Sequence, residues 1–245
     1  CIPVGKIWGV GVKHNFFLQS CGIKTAWNFQ NLNFFWIRKN MGIMSEKTAK
    51  ELMGIRCIPI NEIPMNKKSI CTSRTFGNMV ESLSDLESYI TMYISRCSEK
   101  LRKQSSCAST GYIFIISNSF KKDIPYYSKG KSVKFPVPTS DSGEIISYLL
   151  RELKIIYKKG YKYKKAGVVL SGIIPNNMVQ QNLFDKINRV NKNRIMKSID
   201  SINKKMGQDT IRYASQGFTE KYNLKQQKLS NSYTTKWNQL LIIKV

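Results

Sequence analysis

The hydrophobic pattern of this chain changes period along its length. Up to about residue 55, apolar residues fall in short clusters broken by glycine. Trp8-Gly9-Val10-Gly11 separates two brief apolar segments, the second running from Lys13 to Cys21 and stopped by Gly22. Thr25 has the residue type and position to cap a short helix through Phe29. Ser45 to Leu52 reads as a further helix, with Ser45 as N-cap and Gly54 just past its end. From 66 to 174 longer elements alternate. Ile70 to Phe76 is strand-like. Ser84 to Lys103 has helical period, a Ser84/Glu87 capping box, and Leu86, Ile90, Tyr93, Cys97 and Leu101 on one face. Thr110 to Ser117 is a strand with an apolar centre. In Ser132 to Val137, Val133, Phe135 and Val137 alternate with polar or small neighbours. Ser142 to Lys159 is a second long helix, with Ile145, Ile146, Leu149, Leu150, Leu153, Ile156 and Tyr157 inward and Gly160 closing it. Lys165 to Ile173 completes the series as a strand.

The order strand, helix, strand, strand, helix, strand predicts an α+β fold. It consists of a small helical hairpin domain over 1–55 and a four-stranded βαββαβ sheet over 66–174, with two helices on one face. A linker over 175–185 and a small extension over 186–245 follow. In the extension, Arg194 to Met206 is predicted helical, with Ile195, Ile199 and Ile202 as its apolar face and Gly207 as its stop.

Charge sharpens this picture. The 245 residues carry 40 Lys and Arg against 15 Asp and Glu, a formal net charge of +25. The extension alone has 13 Lys and Arg against 3 acidic residues. Such an excess suits a polyanionic partner, because clustered cations displace the counterions condensed on nucleic acid. Arg74, Lys129, Lys131, Lys134, Lys162, Lys164 and Lys165 lie on or beside the strands. The uncovered sheet face and its rims are therefore expected to be cationic and to hold a duplex through its phosphates. No run of about 18 apolar residues appears, and no secretory leader is visible at the start, so no membrane contact is expected. The first residue is Cys1, which points to a start inside a longer reading frame or to processing.

Metal and nucleophile chemistry find little support. The six cysteines form no C-x-x-C pair and the single histidine is His14, so no zinc site is expected. Several cysteines fall on apolar faces and read as reduced core residues of a cytoplasmic protein. The acidic residues are scattered. The nearest pair, Asp85 and Glu87, sits where a helix dipole favours carboxylates, and no catalytic residue is assigned.

Gln180-Gln181-Asn182-Leu183-Phe184 is different in kind. An isolated Leu-Phe pair beside an amide, in a turn-rich polar segment, suits a peptide that plugs into a partner's pocket. The pattern resembles the peptide by which bacterial polymerases dock on the sliding clamp, and Gln181 stands where Leu is frequent. It follows Trp8-Gly9-Val10-Gly11, Gly22-Ile23-Lys24-Thr25-Ala26, Ser73-Arg74-Thr75-Phe76-Gly77 and Tyr163-Lys164-Lys165-Ala166-Gly167-Val168 in order. Together these resemble the C-terminal part of a UmuC-type Y-family translesion DNA polymerase: thumb, little finger and C-terminal extension. The resemblance implies error-prone, SOS-type repair synthesis in a bacterial cytoplasm. It makes DNA, the sliding clamp and a UmuD-like regulatory subunit the partners. It gives Gly9, Gly11 and Lys13 a phosphate-holding hairpin, although Val12, Asn15 and Phe16 stand where further basic residues are usual. Ser73 and Arg74 lie along the template backbone, with Lys131, Lys134, Lys164 and Lys165 as further DNA contacts. Gln180, Leu183 and Phe184 form the clamp peptide. The palm carboxylates that hold Mg2+ have no counterpart here, so this chain needs no cofactor and is expected to be inactive alone. Two other readings stay open. One is a stand-alone competitor for DNA or clamp. The other is an RNA-binding α+β module using Tyr112 and Phe114 for base stacking.

Overall fold

The computed structural model describes residues 2–59, 65–119, 125–180, 182, 183, 185, 187–218 and 229–241. The chain divides into two compact units, Cys1–Met65 and Asn66–Val245.

The first unit is helical. A 3-10 turn at Val4–Lys6 precedes α1 (Val12–Ser20), α2 (Ala26–Gln30), α3 (Phe34–Met41) and α4 (Ile43–Leu52). Its core gathers one or two apolar residues from each element: Val4, Leu18, Ile23, Phe29, Ile37 and Ala49. Thr25 caps α2 as expected, accepting from the Asn28 amide at 3.1 Å. Helix α3 was not foreseen. Asn33 starts it, its side-chain oxygen accepting from the amides of Phe35 and Trp36. Helix α4 begins two residues before the expected start. Ser45 does not cap it, but donates back to the Met41 carbonyl (3.2 Å) from within the first turn.

The second unit is built on a four-stranded antiparallel sheet. Its strands are β1 (Ile70–Val80), β2 (Ser106–Ser117), β3 (Ser128–Thr139) and β4 (Tyr163–Pro175), in spatial order β1-β4-β2-β3. Helices α5 (Leu83–Lys103) and α6 (Ser142–Ile156) cover one face. The strands are longer than their apolar patterns suggest, because hydroxyl and lysine residues continue the ladder beyond each apolar centre. The proposed Ser84/Glu87 capping box is displaced. Ser82 is the N-cap of α5 and accepts from the Asp85 amide, so Ser84 already lies inside the helix. The predicted face of α5 is buried in full, and α6 buries Ile145, Ile146, Leu149, Leu153 and Ile156 against the same core. Helix α6 stops at Ile156, before the expected Lys159, when Tyr157 turns to extended backbone.

Helix α7 (Arg189–Met206) starts five residues earlier than predicted and uses a different face. Met196 is its buried residue, whereas Ile195 is half exposed. The helix is seated mainly by charge. Arg102 on α5 makes a two-pronged pair with Asp200 (2.6 and 2.7 Å), while its third nitrogen donates to the Ser140 carbonyl and the Ser142 hydroxyl. Arg96 pairs with Asp209, and Asn203 holds the backbone of Ile211 through both its amide groups (2.9 and 2.8 Å). The extension thus packs on the helical side of the sheet.

Burial separates the cysteines. Cys97 lies between α5 and the sheet, donating to the Thr72 hydroxyl at 3.1 Å. Burial pushes its thiol up to about 11, against the opposing pull of that hydroxyl. Burial raises Cys107 as well. Since the thiolate is the reactive form, Cys21 and Cys71 should react with a thiol reagent at pH 8 in the native state. Cys97 and Cys107 should react only on unfolding. Time-resolved labelling of a Cys1→Ser variant, read by mass spectrometry, checks this; rapid native labelling of Cys97 would contradict the packing.

Candidate nucleic-acid interface

Strand alternation sorts the predicted DNA-contacting residues onto two faces. In β1, Ile70 is buried under the helices and Thr72 meets Cys97, so the even positions look toward α5. Arg74 shares that side. Burial raises the Tyr93 hydroxyl of α5, and the Arg74 charge acts on it in the opposite sense. In β3, Val133, Phe135 and Val137 face inward, and Lys131 shares their parity. Its ammonium pairs with Glu152 of α6 at 2.8 Å. Lys164 sits where the β1–β4 and β2–β4 registers shift, and donates to the Phe76 carbonyl at 2.7 Å. Arg74, Lys131 and Lys164 therefore do not share the uncovered face. Residue type marks a cation on a strand, and the period of two decides which face it shares.

Ser73, Lys134 and Lys165 do lie on that face. Within the second unit, α5 and α6 lie on the opposite side of the sheet. Register places Ser73 opposite Gly167, Lys165 between Thr75 and Ile116, and Lys134 opposite Thr110. The two lysines stand at opposite ends, six residues apart along β2, which is about 20 Å of strand. Between them the surface is mostly hydroxyls, namely Ser73, Thr75, Thr110, Ser132 and Ser171, around a central aromatic pair. The rings of Tyr112 and Phe114 stack at 5.9 Å and 29°, with the Lys165 ammonium 6.0 Å from the Phe114 centroid. Two glycines let the rings lie down on the backbone. A Cβ at Gly167 would come within 2.5 Å of Phe114 and would also strike Ser73, and one at Gly130 would strike Tyr112. The sequence had marked the aromatic pair but not the hydroxyl rows.

In the first unit, Gly9 and Gly11 differ. Gly9 has φ +97 and closes the turn after Trp8, while Gly11 is extended and is the N-cap of α1. That cap makes no side-chain hydrogen bond, so the first amides of α1 remain available beside exposed Lys13. Trp8, Val12 and Phe16 are also exposed around this turn.

In the proposed docking segment, Gln180 is exposed and Leu183 is 92% exposed. Phe184 lies outside the described residues. Among the described residues, no group of three or more His, Cys, Asp or Glu is placed to hold a metal ion, and no helix is long and apolar enough to cross a membrane.

This arrangement has known relatives. Residues 67–183 match the impB/mucB/samB family C-terminal domain. Over that stretch the chain is similar to the C-terminal part of UmuC-type proteins. Residues 193–243 match a domain of unknown function, DUF4113. Protein ImpB of Salmonella typhimurium is 35% identical over 97% of this chain and 56% of its own length. Protein UmuC of Salmonella typhimurium (strain LT2) is 33% identical over 99% of this chain and 58% of its own. A DNA polymerase IV of Desulfatibacillum aliphaticivorans is 26% identical over 87% of this chain. The chain spans a little over half the length of these curated relatives. The α+β architecture, with a helical N-terminal unit and a helix-backed four-stranded sheet, agrees with the expected thumb-like and little-finger-like order of elements.

The two hairpin glycines make a separable expectation. An added Cβ at Gly9 meets only Thr48 at 3.6 Å, and at Gly11 meets nothing within 4 Å. Gly9→Ala should cost about 1–2 kcal/mol through left-handed strain, whereas Gly11→Ala should be close to neutral in fold stability. Denaturant unfolding of the two variants distinguishes them.

Proposed function

We propose that this chain supplies the DNA-gripping and clamp-docking functions of an error-prone translesion DNA polymerase in DNA repair. The observation that carries the reading is similarity across nearly the whole chain to UmuC-type proteins and, at lower identity, to DNA polymerase IV. The uncovered sheet face is suited to a nucleic-acid backbone. Its hydroxyls can donate to phosphate oxygens, and Lys134 and Lys165 add charge without a described acidic partner on that face. Gly9, Gly11 and Lys13 fit a second phosphate contact, where open backbone amides meet a helix N-terminus. Arg74, Lys131 and Lys164 are turned to the helix side and take no part in gripping the duplex in this reading. The exposed Leu183, with Gln180 and Phe184, docks on the sliding clamp. A regulatory subunit of UmuD type is a further partner in this reading. No residue of this chain is assigned to Mg2+ chemistry.

The Tyr112–Phe114 stack favours one second reading, a base-stacking platform for single-stranded nucleic acid. Both rings are laid against glycine backbone, which also serves a smooth face for a duplex, and the stack does not account for the hairpin or for Leu183.

Two measurements test the proposal. Affinity for primer-template duplex should fall steeply with salt. Lys134→Ala combined with Lys165→Ala should lower the slope of log affinity against log salt by about 2, whereas Lys131→Ala should leave it nearly unchanged. An equal loss from Lys131→Ala would place the duplex on the wrong side of the sheet. Leu183→Ala should reduce sliding-clamp binding at least tenfold while duplex affinity stays constant. Retained clamp binding would remove the docking assignment.

A further inference from the structure

The stretch between β4 and α7 is fastened at both ends. Upstream, the Asn176 amide donates to the Ser105 carbonyl (2.9 Å), and the Cys107 thiol donates to the Asn176 side-chain oxygen (3.1 Å). Downstream, Arg189 sits between two carboxylates from different parts of the unit. Its Nε donates to Asp185 Oδ2 at 2.5 Å, and its two terminal nitrogens reach Glu144 at 3.3 and 3.5 Å. All three side chains are largely buried. Glu144 is itself fixed in the first turn of α6, where its amide donates to the N-cap Asp141 at 2.7 Å. Asp185 is held from two further sides: its amide donates to the Asn182 carbonyl (3.0 Å), and its Oδ1 accepts from the Ile187 amide (3.1 Å). The hydrogen bond from Arg189 keeps its carboxyl below the ordinary range. Leu183 lies inside the turn that Asn182 and Asp185 close.

Seating α7 does not by itself require this arrangement. That helix is already fixed by Arg102–Asp200 and by the buried Met196. What Arg189 adds is a tie from Asp185, two residues past Leu183, to the rigid start of α6. We propose that Arg189 is a positioning residue that anchors the downstream foot of the docking segment, so that Gln180 and Leu183 are displayed on a loop pinned at both ends. The proposal rests on the clamp-docking reading. A segment tied at both ends loses less conformational freedom on binding than a free one, so affinity is gained without any new contact to the partner.

The test compares binding of purified sliding clamp by the full chain and by a free synthetic peptide spanning 177–187, which lacks Arg189. The chain should bind about tenfold more tightly than the peptide. Arg189→Ala, and separately Asp185→Asn, should bring the chain down to the affinity of the peptide. Arg189→Lys, which keeps the charge but loses the fork that spans both carboxylates, should recover only part of the loss. Duplex affinity should stay near that of the parent in every variant, which separates a positioning role from a general loss of fold. Should Arg189→Ala misfold, Asp185→Asn gives the same reading from the other side of the tie. Chain and peptide of equal affinity, or Arg189→Ala and Asp185→Asn chains that bind like the parent while Leu183→Ala does not, would overturn the positioning role and leave docking intact. Clamp binding that survives Leu183→Ala would overturn both.

Discussion

Burial of one face of the β1-β4-β2-β3 sheet against α5 and α6 is the constraint from which the second unit follows. Ile113, Ile115, Ala166, Val168 and Leu170 meet Leu86, Ile90, Leu149 and Leu153 in a single apolar layer. Each Val, Leu or Ile side chain so withdrawn from water contributes roughly 1.5–3 kcal/mol. Because the side-chain period is two, this burial also fixes what the opposite face displays. Ser73, Thr75, Lys134 and Lys165 look outward because Thr72, Arg74, Phe135 and Ala166 look inward. Charge on the outer face is thereby limited to what the register allows, however basic the chain is in total.

The extension is attached by a different logic. Ion pairs at the contact between α5 and the α7 segment carry a desolvation cost that offsets much of their attraction, so their main effect is to specify one seating. Asp200 is the one acidic residue of an otherwise basic helix, and it meets the one arginine that also holds the Ser140 carbonyl and the Ser142 hydroxyl. A hydrophobic face alone would let α7 slide or rotate. The pairing fixes its rotation, which explains why Met196 rather than Ile195 is buried.

Much of the architecture was legible in the sequence, and the misses have physical causes. The long amphipathic helices and the strand order were readable because their apolar residues are periodic and bury on one side. The capping box was misplaced by two residues because Ser82 and Ser84 both satisfy the pattern, and only the backbone decides between them. Helix α3 was hidden because Phe34, Phe35, Trp36 and Ile37 form an unbroken apolar run with no helical spacing. The facing of α7 was misread because it depends on Arg102 and Asp200, 98 residues apart. At the candidate interface, residue type singled out Arg74 and the lysines, but which face each one shares was settled by parity, by Glu152 and by the Phe76 carbonyl.

The rings that rest on Gly130 and Gly167 carry an evolutionary consequence. Phe114, Ser73 and Gly167 occupy one small volume across three adjacent strands, so a larger residue at Gly167 is compatible with the fold only if Phe114 shrinks or moves in the same step. Positions of this kind drift as a set. Among divergent sequences sharing this sheet, the three should be exchanged jointly or not at all, a correlation that survives even where overall identity has decayed.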